Sequence, residues 1–332
     1  MDIKYSFIIP VYNRPQEVDE LLASFCSLKG DLNFEVVIVE DGSEVDCRHI
    51  CSDYDNRLYI NYFYKDNSGP GRSRNYGMAR ASGNYYIILD SDCVLPPQYL
   101  AVVHSYLTNN FTDCYGGSDS YLETFTVVQK AIDYSLTSFL TTGGVRGSSS
   151  SIDKFQPRSF NMGLSKKAFD STNGFGNIHP GEDPDLVFRL WQLGFSTAYI
   201  DNAVVYHKRR IDVKKFSSQM RQFGTARIIL NKRFPEFAKA IFWFPSLFSF
   251  GLVLSLFLLI VGYWWPLCVY ICYLILLLVH SSYSRGIVVG LQVPFMVIIQ
   301  FFSYSYGFLL AYIKIGVCNE KEEVAFPSMF FK

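Results

Sequence analysis

Charge is missing from most of the last third of this 332-residue chain. No Asp, Glu, Lys or Arg occurs from Ala240 to Ser284, and none from Gly286 to Ile313. Crossing a bilayer takes roughly 20 apolar residues, so the first stretch suffices for two crossings and the second for one. A transporter or channel needs ionisable groups along its pathway, and these stretches offer only His280, which disfavours that class. The eight cysteines show no paired CxxC spacing. The run from Cys47 to Cys51 lacks a second ligand pair, so a structural zinc site is not expected. Met1-Asp2-Ile3-Lys4 leads straight into an apolar strand without the form of a signal peptide, so the first 200 or so residues are expected to stay cytosolic. Internal repeats are absent. So is the interleaving of cations and stacking aromatics that single-stranded nucleic acid would require, and no nucleic-acid partner is expected.

The charges that exist are sorted along the chain. Residues 1–206 carry 16 Lys+Arg against 25 Asp+Glu, residues 207–239 carry 10 against 2, and residues 240–332 carry 4 against 3. This pattern predicts an acidic globular domain at 1–206 and basic interfacial helices at 207–239. Transmembrane helices follow at 240–316 (about 242–264, 267–283 and 290–313), then a short tail at 317–332. The basic collar just before the first span favours a multi-pass membrane protein with its large domain in the cytosol. Three crossings would place the carboxyl terminus on the far side.

Within the acidic domain, buried strands alternate with helices. Ser6 to Val11, Phe34 to Val39, Leu58 to Tyr64 and Tyr85 to Leu89 read as strands. Val18, Leu21, Leu22 and Phe25 fall on one face of the first intervening helix. The alternation predicts an α/β fold with a mixed, mainly parallel, Rossmann-like sheet, whose ligands gather at the carboxyl ends of the strands. The fourth strand ends in Asp90-Ser91-Asp92. In an extended segment residues two apart point the same way, so Asp90 and Asp92 are able to face one hard cation, Mg²⁺ or Mn²⁺, and the phosphates it carries. Between the third and fourth strands, Asn67 to Gly77 combines glycines, a helix amino terminus and the cations Arg72 and Arg74, a combination suited to a diphosphate. Glu40-Asp41-Gly42-Ser43 closes the second strand with turn and cap residues. Thr142 to Ser151, including Arg146, reads as a loop or lid, followed by Phe160-Asn161-Met162-Gly163. Gly181-Glu182-Asp183-Pro184-Asp185 opens a helix, and a last strand ends at His207.

In this order the motifs resemble the family 2 glycosyltransferases, which have the GT-A nucleotide-sugar fold and often carry carboxy-terminal membrane helices. The resemblance covers roughly residues 5–230. It implies donor contacts from Pro10, Val11, Tyr12 and Asn13, from Glu40 and Asp41, whose aspartate would hold the base, and from Arg72, Arg74, Asn75, Asp90 and Ser91. It implies a divalent metal on Asp90 and Asp92 with His207 as a further ligand, and Asp183 as general base with Glu182 as its nearest rival. Arg146, Asn161, Met162 and Asp185 would face the acceptor or lid. Expected partners are a nucleotide-sugar, most simply a UDP-sugar, a lipid-linked or glycan acceptor, and the bilayer. Processive members carry Gln-x-x-Arg-Trp, whereas this chain has Gln219-Met220-Arg221-Gln222-Phe223. Transfer of a single sugar is therefore expected over polymerisation. A nucleotidyltransferase of similar fold and a non-catalytic nucleotide-sugar-binding scaffold are the other readings.

Overall fold

The computed structural model describes residues 2–30, 32–120, 125–142, 155–207 and 212–331. The chain divides into two compact units: residues 1–122, 151–208 and 331–332 form the first, and residues 123–150 and 209–330 the second. The stretch 123–150, which sequence places inside the 1–206 domain, thus groups with the apolar helices.

The first unit is built on one eight-stranded sheet, in the order β3-β2-β1-β4-β7-β6-β8-β5. Its chain order begins β1 (Tyr5–Val11), α1 (Pro15–Phe25), β2 (Phe34–Asp41), α2 (Arg48–Asp53), β3 (Ile60–Lys65), α3 (Pro70–Met78), β4 (Tyr85–Leu89), β5 (Cys93–Val94), α4 (Tyr99–Asn109) and β6 (Cys114–Ser120). After α5 (Val127–Thr137) and α6 (Phe139–Thr142), both in the second unit, come β7 (Asn161–Ser165), α7 (Lys166–Thr172), α8 (Glu182–Gln192) and β8 (Thr197–His207). Strands β3, β2, β1 and β4 run parallel, with Tyr5 opposite both Phe34 and Tyr85. Their carboxyl ends therefore lie along one edge. Strand β7 is antiparallel to β4 and to β6, β8 is parallel to β6, and the short β5 sets Cys93 opposite His207.

Alternate residues of these strands enter two apolar layers, as period-two geometry requires. Phe7, Ile9, Val36, Ile38, Tyr85, Ile87 and Leu89 pack with Leu21, Leu22 and Phe25 of α1 and Tyr99 and Val103 of α4. Ile8, Val37, Val39, Tyr86 and Ile88 pack on the other face with Met78, Leu186 and Leu190. Burying each such side chain is worth about 1.5–3 kcal/mol, which holds α3 and α8 firmly at the sheet edge. Gly77 lets α3 sit close: a Cβ there would lie 2.9 Å from Ile8 Cγ2.

The second unit is helical: α9 (Val213–Arg233), α10 (Phe244–Ile260), α11 (Trp265–Arg285), α12 (Ile287–Gly290), α13 (Val293–Ala311) with a π-helical continuation Tyr312–Val317, and α14 (Glu322–Ala325). Three helical stretches, Ala240–Ile260, Trp265–Arg285 and Ile287–Val317, are long and apolar enough to cross a membrane. Its core joins Ile132 and Leu136 of α5 to Phe216, Met220, Leu277, Val293, Val297 and Phe301. His280 is occupied here: Tyr134 Oη lies 2.6 Å from its Nδ1. Asp133 pairs with Arg285 at 3.4 Å.

Candidate active site

The strand-end loops bring the candidate residues together in the first unit. At the end of β1, Asn13 takes a positive φ of 53°. Its backbone N–H donates to Ser43 Oγ at 2.7 Å, and its Oδ1 accepts from the amides of Glu44 and Val45 at 2.9 and 3.2 Å. The ends of β1 and β2 are thereby tied, and the Tyr12 ring is left 52% exposed. At the end of β2 the two acidic residues diverge. Glu40 is fully buried and accepts from Ser43, from the Cys47 amide and thiol at 3.0 Å and from Tyr62 at 3.4 Å. These bonds fix the turn and occupy both carboxylate oxygens of Glu40. Asp41 pairs with Lys65 and accepts from the Ser68 and Gly69 amides, both at 2.9 Å. It thus positions the amino terminus of α3.

Arg74 is the hub of the site. It is 3% exposed and donates to Asp90 Oδ1 at 2.7 Å and to Glu182 Oε1 at 3.3 Å, with its guanidinium 5.2 Å from the Phe175 ring centre. Burial opposes its charge, but Asp90, Glu182 and Asp183 hold its pKa above the ordinary value. Its Nε is buried with no hydrogen-bond partner, a spare donor inside the cluster. Arg72, by contrast, is exposed. Asn75 is a clamp: its Nδ2 donates to the Phe175 carbonyl and its Oδ1 accepts from the Phe175 amide, both at 2.8 Å. This fastens the loop that leads to Glu182.

Asp90 and Asp92 face separate partners, for Arg14 donates to Asp92 Oδ2 at 2.7 Å. Ser91 between them is buried. Among the described residues, no group of three or more His, Cys, Asp or Glu gathers to hold a metal. The backbone register sets His207 opposite Cys93, next to Asp92.

At the start of α8 two adjacent carboxyls titrate in opposite directions. Burial alone would raise Glu182, but His179, 3.0 Å from its Oε1, and then Arg74 hold it down to about 2. Burial first and the charge of Glu182 second push Asp183 up to about 6, against the pull of Arg74, Arg158 and Ser159. Asp183 Oδ1 is buried and has no hydrogen-bond partner. An acidic group poised near neutrality with an unused acceptor oxygen is what a general base requires.

The remaining expected contacts lie elsewhere. Asn161 is 1% exposed and accepts from Tyr99 Oη at 2.6 Å, while its Nδ2 donates to the carbonyls of Ser118 at 3.0 Å and Ala203 at 2.7 Å. Met162 is fully buried in the α3/α8 layer. Both side chains are enclosed, Asn161 by its hydrogen bonds and Met162 by the apolar layer. Asp185 is turned to Arg189 at 2.9 Å, and Arg189 binds the Thr172 and Gly174 carbonyls at 2.7 Å. Through Arg189 it anchors the loop. Arg146 lies outside the described residues. Sequence reasoning passed over Arg14, Lys65 and His179. The last stands three residues before Glu182, the spacing at which side chains meet around a helix start.

The family described as "Glycosyl transferase family 2" matches residues 6–167. That stretch is a family 2 glycosyltransferase domain. An uncharacterised glycosyltransferase of Rickettsia felis is 42% identical over 91 residues, 27% of this chain and 15% of the relative. A chondroitin synthase of Pasteurella multocida is 28% identical over 244 residues, 62% of this chain and 25% of the relative. The chain therefore spans a quarter or less of the length of these relatives. In fold it is similar to a mannosyltransferase of Pyrobaculum calidifontis solved with GDP-Man and Mn²⁺, with a TM-score of 0.57, 13% identity and coverage of 97% of this chain and 89% of that one. The family 2 domain thus has the GT-A architecture expected of it, and Glu182 and Asp183 lie just beyond the matched stretch.

Proposed function

We propose that the chain is a membrane-anchored inverting glycosyltransferase that moves a sugar from a nucleoside-diphosphate donor, most simply a UDP-sugar, to a membrane-associated or glycan acceptor. The observation that carries this reading is Asp183, with its unpaired buried oxygen and its pKa near 6. Its role is to take the proton of the acceptor hydroxyl, whose oxygen attacks the anomeric carbon as the bond to the diphosphate breaks on the opposite face. Glu182 stays ionised and keeps Arg74 in place, and Arg74 meets negative charge developing on the leaving diphosphate. The exposed Tyr12 ring offers a face for the base, and Asp41 acts by shaping the amino terminus of α3 that faces the phosphates.

The carboxylates at the end of β4 fit a divalent cation in chemistry: two hard oxygen donors suit Mn²⁺ or Mg²⁺, which commonly complete their shells with water and substrate phosphates. Asp90 and Asp92 would hold it, with His207 beside them. Such an ion supplies positive charge against the departing diphosphate. Arg74 and Arg14 now neutralise these two carboxylates, so they would have to share them with the ion. The catalytic unit is assigned to the cytosol, ahead of a multi-pass membrane region.

The test is to incubate the purified chain with a panel of nucleotide-sugars and Mn²⁺ and to identify the products. Release of nucleoside diphosphate from one donor, with inverted anomeric configuration in the product, is the expected result. Pyrophosphate release from a nucleoside triphosphate would establish the nucleotidyltransferase reading instead. Binding with no turnover of any donor in the presence of acceptor glycans or lipids would leave a scaffold.

A further inference from the structure

Three helical stretches have the length and composition to cross a bilayer, yet the contacts of the last of them disagree with a crossing. Helix α13 runs parallel to α9 and touches it along most of their length. Ser217 Oγ lies 2.8 Å from Ser303 Oγ, and Thr225 Oγ1 donates to the Gly307 carbonyl at 3.3 Å. Lys232 reaches Asn319 at 3.3 Å, and Arg233 donates to Glu322 at 2.8 Å. Glycines bring the backbones together: a Cβ on Gly307 would lie 1.9 Å from the Arg221 carbonyl oxygen, and one on Gly224 2.1 Å from that of Tyr304. Helix α9 contains Lys214, Lys215, Arg221, Arg227, Lys232 and Arg233 and no acidic residue. Two arginines near its middle make it too costly to place across a bilayer, so its full-length partner stays with it.

Two further observations agree. The outward stripe of α13 and its continuation, Phe295, Phe302, Tyr306, Leu309, Ile313 and Val317, is apolar but broken by a tyrosine at mid-length. Aromatic rings with one polar end prefer the membrane–water boundary. Phe331, beyond this helix, belongs to the first unit. Its amide donates to the Asn177 carbonyl at 3.2 Å, its ring centre is 5.7 Å from that of His179, and a Cβ on Gly69 would lie 2.3 Å from its ring. A residue that touches Gly69 and His179 must be on their side of the membrane. The number of crossings between them is then even.

We infer that only α10 and α11 cross, as a hairpin turning at Val261 to Trp264, and that the α9–α13 pair lies in the membrane interface on the side of the catalytic unit. The apolar stripe of α13 enters the boundary of the acyl chains, and the exposed Lys214, Lys215, Arg221 and Lys232 of α9 face anionic lipid headgroups. The inference replaces three crossings by two and does not depend on the proposed reaction.

Native cysteines provide the first test without any substitution, because Cys26, just after α1, and Cys318, after α13, are both exposed. Sealed membrane vesicles of known orientation, containing the full chain, are treated with a membrane-impermeant maleimide, and labelled peptides are read by mass spectrometry. Cys26 and Cys318 are expected to label from the same face, and a Tyr263→Cys variant only from the other. Labelling of Cys318 from the face opposite Cys26 overturns the inference. Should Cys318 prove unreactive from both faces, the exposed Glu323→Cys decides by the same criterion. A Tyr306→Trp variant is expected to be quenched most strongly by lipids carrying a shallow nitroxide; strongest quenching by a label at the bilayer centre would also overturn it. Liposomes with anionic lipid should retain the chain's α9 face more protected from trypsin at Lys214 and Arg221 than neutral ones, and equal cleavage in both would remove the headgroup assignment.

Discussion

The two units solve the same packing problem with different materials. In the first, close packing comes from alternating β-branched and aromatic side chains, and the buried charges of Glu40, Asp41, Arg74 and Asp185 are each held by polar partners. In the second, helices meet through serines, threonine and glycine, as at Ser217 with Ser303, Ser249 with Ser305 at 3.1 Å, and Gly307 against Arg221. Small residues at these positions let the helix backbones approach closely and bring the hydroxyls within hydrogen-bond reach of one another. Buried polar atoms without a hydrogen-bond partner occur in both: in the first they include the Asp183 carboxyl oxygen, and in the second amide and hydroxyl oxygens such as Gln219 Oε1, Ser246 Oγ and Gln300 Oε1.

The largest test of this contrast is Asp183→Asn. The variant should bind the nucleotide-sugar nearly as the native chain does by calorimetry, yet transfer sugar at least about a hundredfold more slowly, since loss of a general base commonly costs about 10²–10⁴ in rate. Full activity there together with an inactive Glu182→Gln would move the base by one residue.

Next comes pH. A base whose pKa is about 6 must be ionised to act, so kcat/KM should be level above that pH and fall about tenfold per unit below it. The stability effect has the opposite sign. The fold favours the protonated carboxyl, so stability is lost as pH rises from the ordinary aspartate range through about 6. Asp183→Asn removes that loss and should melt higher than the native chain above pH 6. An unchanged melting temperature at pH 7.5 would indicate that Asp183 is not held away from water.

Smaller effects separate the two units. Gly77→Ala forces a methyl towards Ile8 and Val39 and should cost about 1–3 kcal/mol by overpacking, with weaker donor binding because α3 carries Arg74. Gly307→Ala should lower the melting temperature in detergent while leaving donor affinity unchanged. Equal loss of donor binding in both would show that the units are not energetically separate. Smallest is Lys166→Ala, which removes an exposed pair with Asp170 at 3.4 Å and should change stability by about 0.5 kcal/mol or less in denaturant titrations.

Much of the first unit was legible because its signals are local. The runs ending at Val11, Val39 and Leu89 are apolar, short and bounded by turn residues, and their strands are buried almost throughout, whereas the run to Tyr64 forms the edge strand β3, which is only half-buried. Asp90 and Asp92 were legible for the same reason, as carboxylates where an apolar run stops. Their partners were not, because the approach of Arg14 and Arg74 depends on crossover geometry that no local spacing encodes. That Asn161 and Met162 open a buried mid-sheet strand was not legible, because such a strand and a loop beside a ligand both read as short mixed segments. The pairing of α9 with α13 was hidden by composition, since one helix is basic and the other apolar, and only the glycines hint that they touch.

The order of the sheet also has a consequence for synthesis on the ribosome. Strand β4 is buried along its whole length, and its second neighbour is β7. Asn161, which pairs with Leu89, is made about 4–14 s after it at translation rates of about 5–20 residues per second. Throughout that interval Tyr85 to Leu89 presents an open, apolar strand edge, the kind of surface that recruits a strand from another chain. Helices α5 and α6, made in that interval, group with the apolar helices, which emerge later still. A nascent chain of this protein therefore has good reason to need a holdase, and a truncation ending near residue 155 should aggregate where one ending after His207 does not.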